Sequence, residues 1–137
     1  MSITKDSNRQ PRLVAMVEVG FADIATGVAA AAVELPGGAI VTGGAVTVIT
    51  AFNSGTSDVL DVGDSVSANR YLNDFNIHAA GRTPLIPTGY VTPNVSDVSV
   101  TLTAVGTAAT AGSVRLEVAN VQRKQRERKR HVTRCVW

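Results

Sequence analysis

Val98-Ser99-Val100-Thr101-Leu102-Thr103-Ala104, residues 98–104, is the stretch whose reading decides the fold. Apolar side chains fill every second position, and hydroxyl-bearing ones fill the positions between. An extended chain points successive side chains to opposite faces, so this run is a strand with one buried and one solvated face. The same period recurs at Leu13, Ala15, Val17, Val19 and Phe21, whose intervening face includes Glu18. It recurs again at Val114, Leu116 and Val118, which alternate with Arg115 and Glu117. Half-buried strands of this kind belong to antiparallel sheets.

Further strands are expected at 28–34, 39–52, 58–62 and 84–90, which brings the total to seven or eight. Turn signals separate them: Pro36-Gly37-Gly38, Asn53-Ser54-Gly55, Gly63-Asp64, Pro93-Asn94 and Ala111-Gly112. Gly43-Gly44 interrupts the longest run, marking a bulge or a corner where a strand changes sheets. Aromatic residues make up 4% of the chain, so the interior is built mainly from Ala and Val and calls for close stacking of sheets. The expected fold is an all-β, antiparallel β-sandwich, jelly-roll or Ig-like, with extended N- and C-terminal arms. The organisation is an arm at 1–12, a sandwich at 13–121 and a tail at 122–137. Residues 64–82 hold Arg70, Tyr71, Phe75 and His78 and break the alternation. They form a helical turn, a long structured loop or the crossover between the two sheets.

Charge is distributed unevenly along this chain of 137 residues. The tail, QRKQRERKRHVTRCVW, carries seven of the thirteen Lys and Arg against the single acid Glu127. Residues 13–121 hold only Arg70, Arg82 and Arg115 against nine acids, a net charge of −6. The body is acidic and both ends are basic. The polar start and the lone Cys135 are expected of a soluble protein made in a reducing compartment, without a secretory signal. The Ala-rich run near 24–35 contains Glu34 and meets Pro36, so it is not a membrane span.

The residues offer little reactive chemistry. Asp58, Asp61 and Asp64 are spaced as a cation site would be, although the spacing fits no EF-hand loop and Asp is common at turns. His78 and His131 lack the His or Cys neighbours of a metal site, and no GxSxG precedes them. Arg134 beside Cys135 favours the thiolate, yet a free terminal thiol is ordinarily incidental. The Gly37-Gly38 and Gly43-Gly44 pairs lack the Lys and Ser/Thr of a phosphate loop. The expectation is a protein that is not an enzyme and needs no cofactor or metal.

Two stretches carry a resemblance. The first is Val33-Glu34-Leu35-Pro36-Gly37-Gly38-Ala39-Ile40-Val41-Thr42-Gly43-Gly44, and the second is Thr50-Ala51-Phe52-Asn53-Ser54-Gly55-Thr56-Ser57-Asp58. Ala68-Asn69-Arg70-Tyr71-Leu72 and Gly106-Thr107-Ala108-Ala109-Thr110-Ala111-Gly112 extend it over residues 13–121. The chain resembles the capsid decoration, or cement, proteins of tailed bacteriophages. That resemblance implies a virion protein on the outer capsid surface, bridging neighbouring major capsid subunits. Symmetric shells favour closed oligomers and twofold pairs are the commonest of these, so self-association is expected, with a homodimer favoured over a trimer. The tail lies outside the resemblance.

The tail is therefore read from its chemistry. Arg outnumbers Lys five to two, and guanidinium groups form paired hydrogen bonds with carboxylates. The tail ends in Val136 and Trp137, and Trp is a favoured interface anchor. The expected partner-binding residues are Arg123, Lys124, Arg126, Arg128, Lys129, Arg130, Arg134 and Trp137, joined by Arg9 and Arg12 from the N-terminal arm. The competing reading of the tail is a solvated, solubilising segment. The competing functions are a phage tail or head-fibre component, a nucleic-acid-binding protein and a sugar-binding module. Against nucleic acid, the tail has no aromatic among its cations to stack on bases, and the body is acidic.

Overall fold

The computed structural model describes residues 10–122. Eight strands follow in order: β1 (Leu13–Gly20), β2 (Ala29–Leu35), β3 (Ala39–Thr50), β4 (Ser57–Gly63), β5 (Leu72–Asn76), β6 (Gly81–Pro84), β7 (Ser96–Val105) and β8 (Ser113–Gln122). One four-stranded sheet runs β1-β8-β3-β6 and the other β2-β7-β4-β5, with every pairing antiparallel. The chain is an antiparallel β-sandwich. Only β4 and β5 are both consecutive and paired; every other connection crosses between sheets. This interleaving is the jelly-roll order, with no seven-strand Ig arrangement.

The core is the layer that alternation predicts. Val114, Leu116 and Val118 of β8 and Val46 of β3 meet Leu60 and Val62 of β4 and Val98, Val100 and Leu102 of β7. Each fully buried Val or Leu contributes about 1.5–3 kcal/mol. Small side chains suffice because two sheets can stack closely and fill the space between them.

The Gly43-Gly44 pair forms a bulge, and β3 stays within one sheet. The register against β8 shifts between Val41 and Gly43. Gly44 takes φ 131°, and a Cβ there would collide with the carbonyl of Glu117. Residues 64–82 do carry the chain between sheets, as a turn at 64–71, then β5, then the start of β6. Two expectations are corrected. The run 84–90 is not a strand: pairing stops at Pro84, and Pro87 has no N–H to extend a ladder. Beyond it only Val91 forms a bridge, with Ile40. Phe21 lies just past the end of β1, half exposed, with its N–H bonded to Gly112 O at 2.9 Å.

The two ends of the sandwich differ in what they gather. One pole collects residues 10–12, the β2–β3 turn, the segment 91–95 and the end of β8. The far pole collects the loops 21–28, 51–56, 77–80 and 106–112.

Candidate functional site

At the first pole the two ends of the described chain are fastened to each other. Leu13 pairs with Asn120 at the end of the β1–β8 ladder. Just beyond, the side-chain amide of Gln10 donates to Gln122 O at 2.8 Å and accepts from Gln122 N–H at 2.8 Å. One carboxamide thus replaces a backbone partner and carries the ladder one step further. Gln122 also pairs with Ala39 on its other side, so this residue is the last of β8.

Buried Thr92 closes the same pole. Its Oγ1 accepts from Ala39 N–H at 3.0 Å and donates to Pro36 O at 2.8 Å. Its backbone accepts from Gly38 N–H at 2.6 Å and donates to Ala39 O at 3.0 Å. The Pro36-Gly37-Gly38 turn is therefore held rigidly beside the point where the chain leaves the sandwich.

Of the expected partner-binding residues, only Arg12 is described. It is exposed, and its Nη2 lies 3.7 Å from where a Cβ on Gly43 would stand. Arg9, Arg123, Lys124, Arg126, Arg128, Lys129, Arg130, Arg134 and Trp137 lie outside the described residues. The geometry adds one fact to them: both basic ends depart from one pole, side by side. Ten of the thirteen Lys and Arg belong to the segments attached there. The acidic body ends where the cations begin.

Two polar clusters elsewhere were not anticipated as units. Asp58, fully buried, accepts from Ser54 N–H at 3.0 Å and from Ser54 Oγ–H at 2.6 Å, and lies 2.8 Å from His78 Nδ1. Burial pushes its pKa up, and the bonds from Ser54 and His78 outweigh it, so the carboxyl is held below its ordinary value. The hydroxyl is bound to the carboxylate and not to the imidazole. The trio lacks the nucleophile–base contact of a hydrolytic relay and works as a staple between the 52–54 and 76–78 segments.

Asp64 forms the second cluster. Its Oδ1 accepts from Val66 N–H at 3.0 Å and Ser67 N–H at 2.8 Å, and its Oδ2 accepts from Arg70 Nε at 2.6 Å. The Arg70 guanidinium stacks 3.6 Å from the centre of the Tyr90 ring. Burial raises the Asp64 pKa, but the Arg70 bond and the two backbone N–H groups bring it below its usual value. Asp61 turns elsewhere and accepts from Asp74 N–H at 2.7 Å. Each of the three spaced aspartates is engaged by donors of the protein, but only Asp64 caps a turn; Asp58 and Asp61 lie within β4 and reach His78 and Asp74 across the fold. Among the described residues no three His, Cys, Asp or Glu side chains gather as a metal site would require.

This geometry can be set beside known structures. A chain of the cyanophage Pam1 capsid asymmetric unit superposes with a TM-score of 0.67 at 25% identity, covering 88% of this chain and 92% of that one. A chain of the capsid of Ralstonia phage GP4 gives 0.64 at 15% identity, over 90% and 92%. A chain of the acid-stable capsid of Helicobacter pylori bacteriophage KHP30 gives 0.58 at 17%, over 84% and 94%. The fold is that of chains in phage capsids. No protein-family model matches the sequence, and no curated protein does.

Proposed function

We propose that this chain is a structural protein of a phage virion, without enzymatic activity, that decorates the outside of the icosahedral shell. There it bridges neighbouring major capsid subunits as a cement protein. The observation that carries the reading is the joint departure of both basic ends from one pole of an acidic jelly roll whose structural neighbours are phage capsid chains. A body that turns one pole to the shell would engage two subunits through two arms. Binding at several points raises the effective concentration of each further contact, so modest individual interfaces suffice. The arginines would pair with carboxylates on the shell protein, and Trp137 would fill a pocket there.

The test is co-sedimentation of the full chain, and of a chain lacking 123–137, with shells assembled from the major capsid protein alone. The cut belongs after Gln122, because that residue completes β8. The expected result is at least a tenfold loss of affinity, about 1.4 kcal/mol, together with loss of the added thermal stability of the shell. Unchanged binding would overturn the role of the tail. No binding by the full chain, with a salt-steep gel shift on duplex DNA, would transfer the protein to the nucleic-acid class.

A further inference from the structure

β1 is the outermost strand of its sheet, and among the described residues nothing pairs with its outer side. The bond from Phe21 N–H to Gly112 O identifies which residues face β8. Hydrogen-bonded pairs alternate along an antiparallel ladder, so Val14, Met16, Glu18 and Gly20 turn their N–H and C=O groups to the free edge. Gly20 bears this out, since its N–H donates to Asp23 Oδ2 at 2.8 Å and its carbonyl accepts from Asp23 N–H at 3.0 Å. Asp23 thereby closes the edge at that end. Val14, Met16 and Glu18 remain, with Met16 at the centre.

Natural edges are guarded by Lys, Pro, bulges or shortness. β1 has eight residues, LVAMVEVG, with an unbroken register and only Glu18 charged. Leu13, Val14 and Met16 are 55%, 57% and 63% exposed. The edge of β2, which also has no strand beside it among the described residues, lies on the same flank in the other sheet.

We propose that β1 pairs antiparallel with β1 of a second copy about a twofold axis through Met16, joining two four-stranded sheets into one continuous sheet. This goes beyond the proposed function and gives the self-association expected from the sequence a contact. The free backbone groups are symmetric about Met16, so each of the three residues exchanges both its bonds with the partner strand. Met16 faces the partner's Met16, and Val14 faces the partner's Glu18. On the same outer face, Glu18 is the diagonal neighbour of the partner's Arg12. Diagonal neighbours are about 7–8 Å apart, within the span of long side chains. The guanidinium of Arg12, over Gly43 in the single chain, turns to reach that carboxylate. The two charged side chains at the ends of the edge are thus complementary in this register, and by symmetry they meet twice.

The full chain is examined by sedimentation across a concentration series, together with Met16→Lys and Val14→Lys. The expected result is a wild-type dimer, with each lysine raising the dissociation constant at least about tenfold. Circular dichroism of both variants checks that the sandwich is intact. In a Cys135→Ser background, Met16→Cys should give an oxidised covalent dimer. Paired strands place opposed Cα atoms about 5.5 Å apart, within disulfide range. Val14→Cys should not crosslink, because its counterpart lies four residues away along the pair. A wild-type chain that stays monomeric overturns the proposal. So does β1-dependent shell binding by a monomer, which would assign the edge to the shell protein. An oligomer that ignores the lysines and fails to crosslink at position 16 overturns the contact while leaving self-association standing.

Discussion

The two flanks of the sandwich are finished in opposite ways. On the β5/β6 flank the edge strands span five and four residues, and Pro84 ends one of them. The segments around that flank are pinned by Asp58 with Ser54 and His78, and by Asp64 with Arg70 and Tyr90. On the β1/β2 flank the edges are longer and apolar, and among the described residues no polar cluster covers them. A jelly roll has four edge strands to manage, and among the described residues the buried ionic groups Asp58 and Asp64 both lie on one side. With β1 as the proposed contact between copies, stability and association would be separated in space, and mutations could address one without the other.

The sharpest way to break that division is to remove a staple. Asp58→Ala leaves the buried Ser54 donors without their acceptor and takes the partner from the part-exposed His78, which costs about 2–3 kcal/mol. Urea unfolding should show that loss, and the dissociation constant of the proposed dimer, measured below the unfolding transition, should stay unchanged. Acid probes the same flank more gently. Both Asp58 and Asp64 have folded-state pKa values below the ordinary carboxylate value near 4. Their contribution is fully present above that value and is lost as pH falls through the lower folded values. Thermal melts should therefore be flat from neutrality to about pH 5 and decline below about pH 4. Asp58→Asn combined with Asp64→Asn should flatten that decline. The smallest effect belongs to the other flank: Met16→Lys, measured on the monomer, should change unfolding free energy by no more than about 0.5 kcal/mol. A large loss there would show that β1 holds the fold together in its own right and would dissolve the contrast.

Much of the architecture was legible because it rests on period-two alternation. β7 and β8 follow Val98-Val100-Leu102 and Val114-Leu116-Val118, and the Gly43-Gly44 bulge was visible as two glycines within an apolar run. β5 and β6 were not legible. LNDFN and GRTP bury little, so no apolar period marks them, and their partners in β4 and β3 define them instead. In 84–90 the apolar Leu85 and Ile86 suggested a strand, but after one last backbone bond from Leu85 N–H to Gly44 O at 3.0 Å the chain turns away and Ile86 N–H bonds to Tyr71 O instead. The sheet order was hidden for a related reason, since alternation says which face is buried and nothing about which strand lies alongside. The Asp58 staple needed His78, twenty residues away, whose approach depends on the crossover that the local sequence leaves open.

The Gln10–Gln122 clasp has a mechanical consequence. Tension applied through the two ends of the described chain enters the sandwich at neighbouring points, residues 10 and 122. The load falls first on the clasp and then on Leu13 and Asn120, so it would peel β1 from β8 one pair at a time instead of shearing the whole ladder. A pull on the two ends therefore meets the sandwich in its compliant direction, whereas a pull between the two poles would load many ladder bonds at once. A shell fastened through both ends would have a give at each fastening, set by one glutamine.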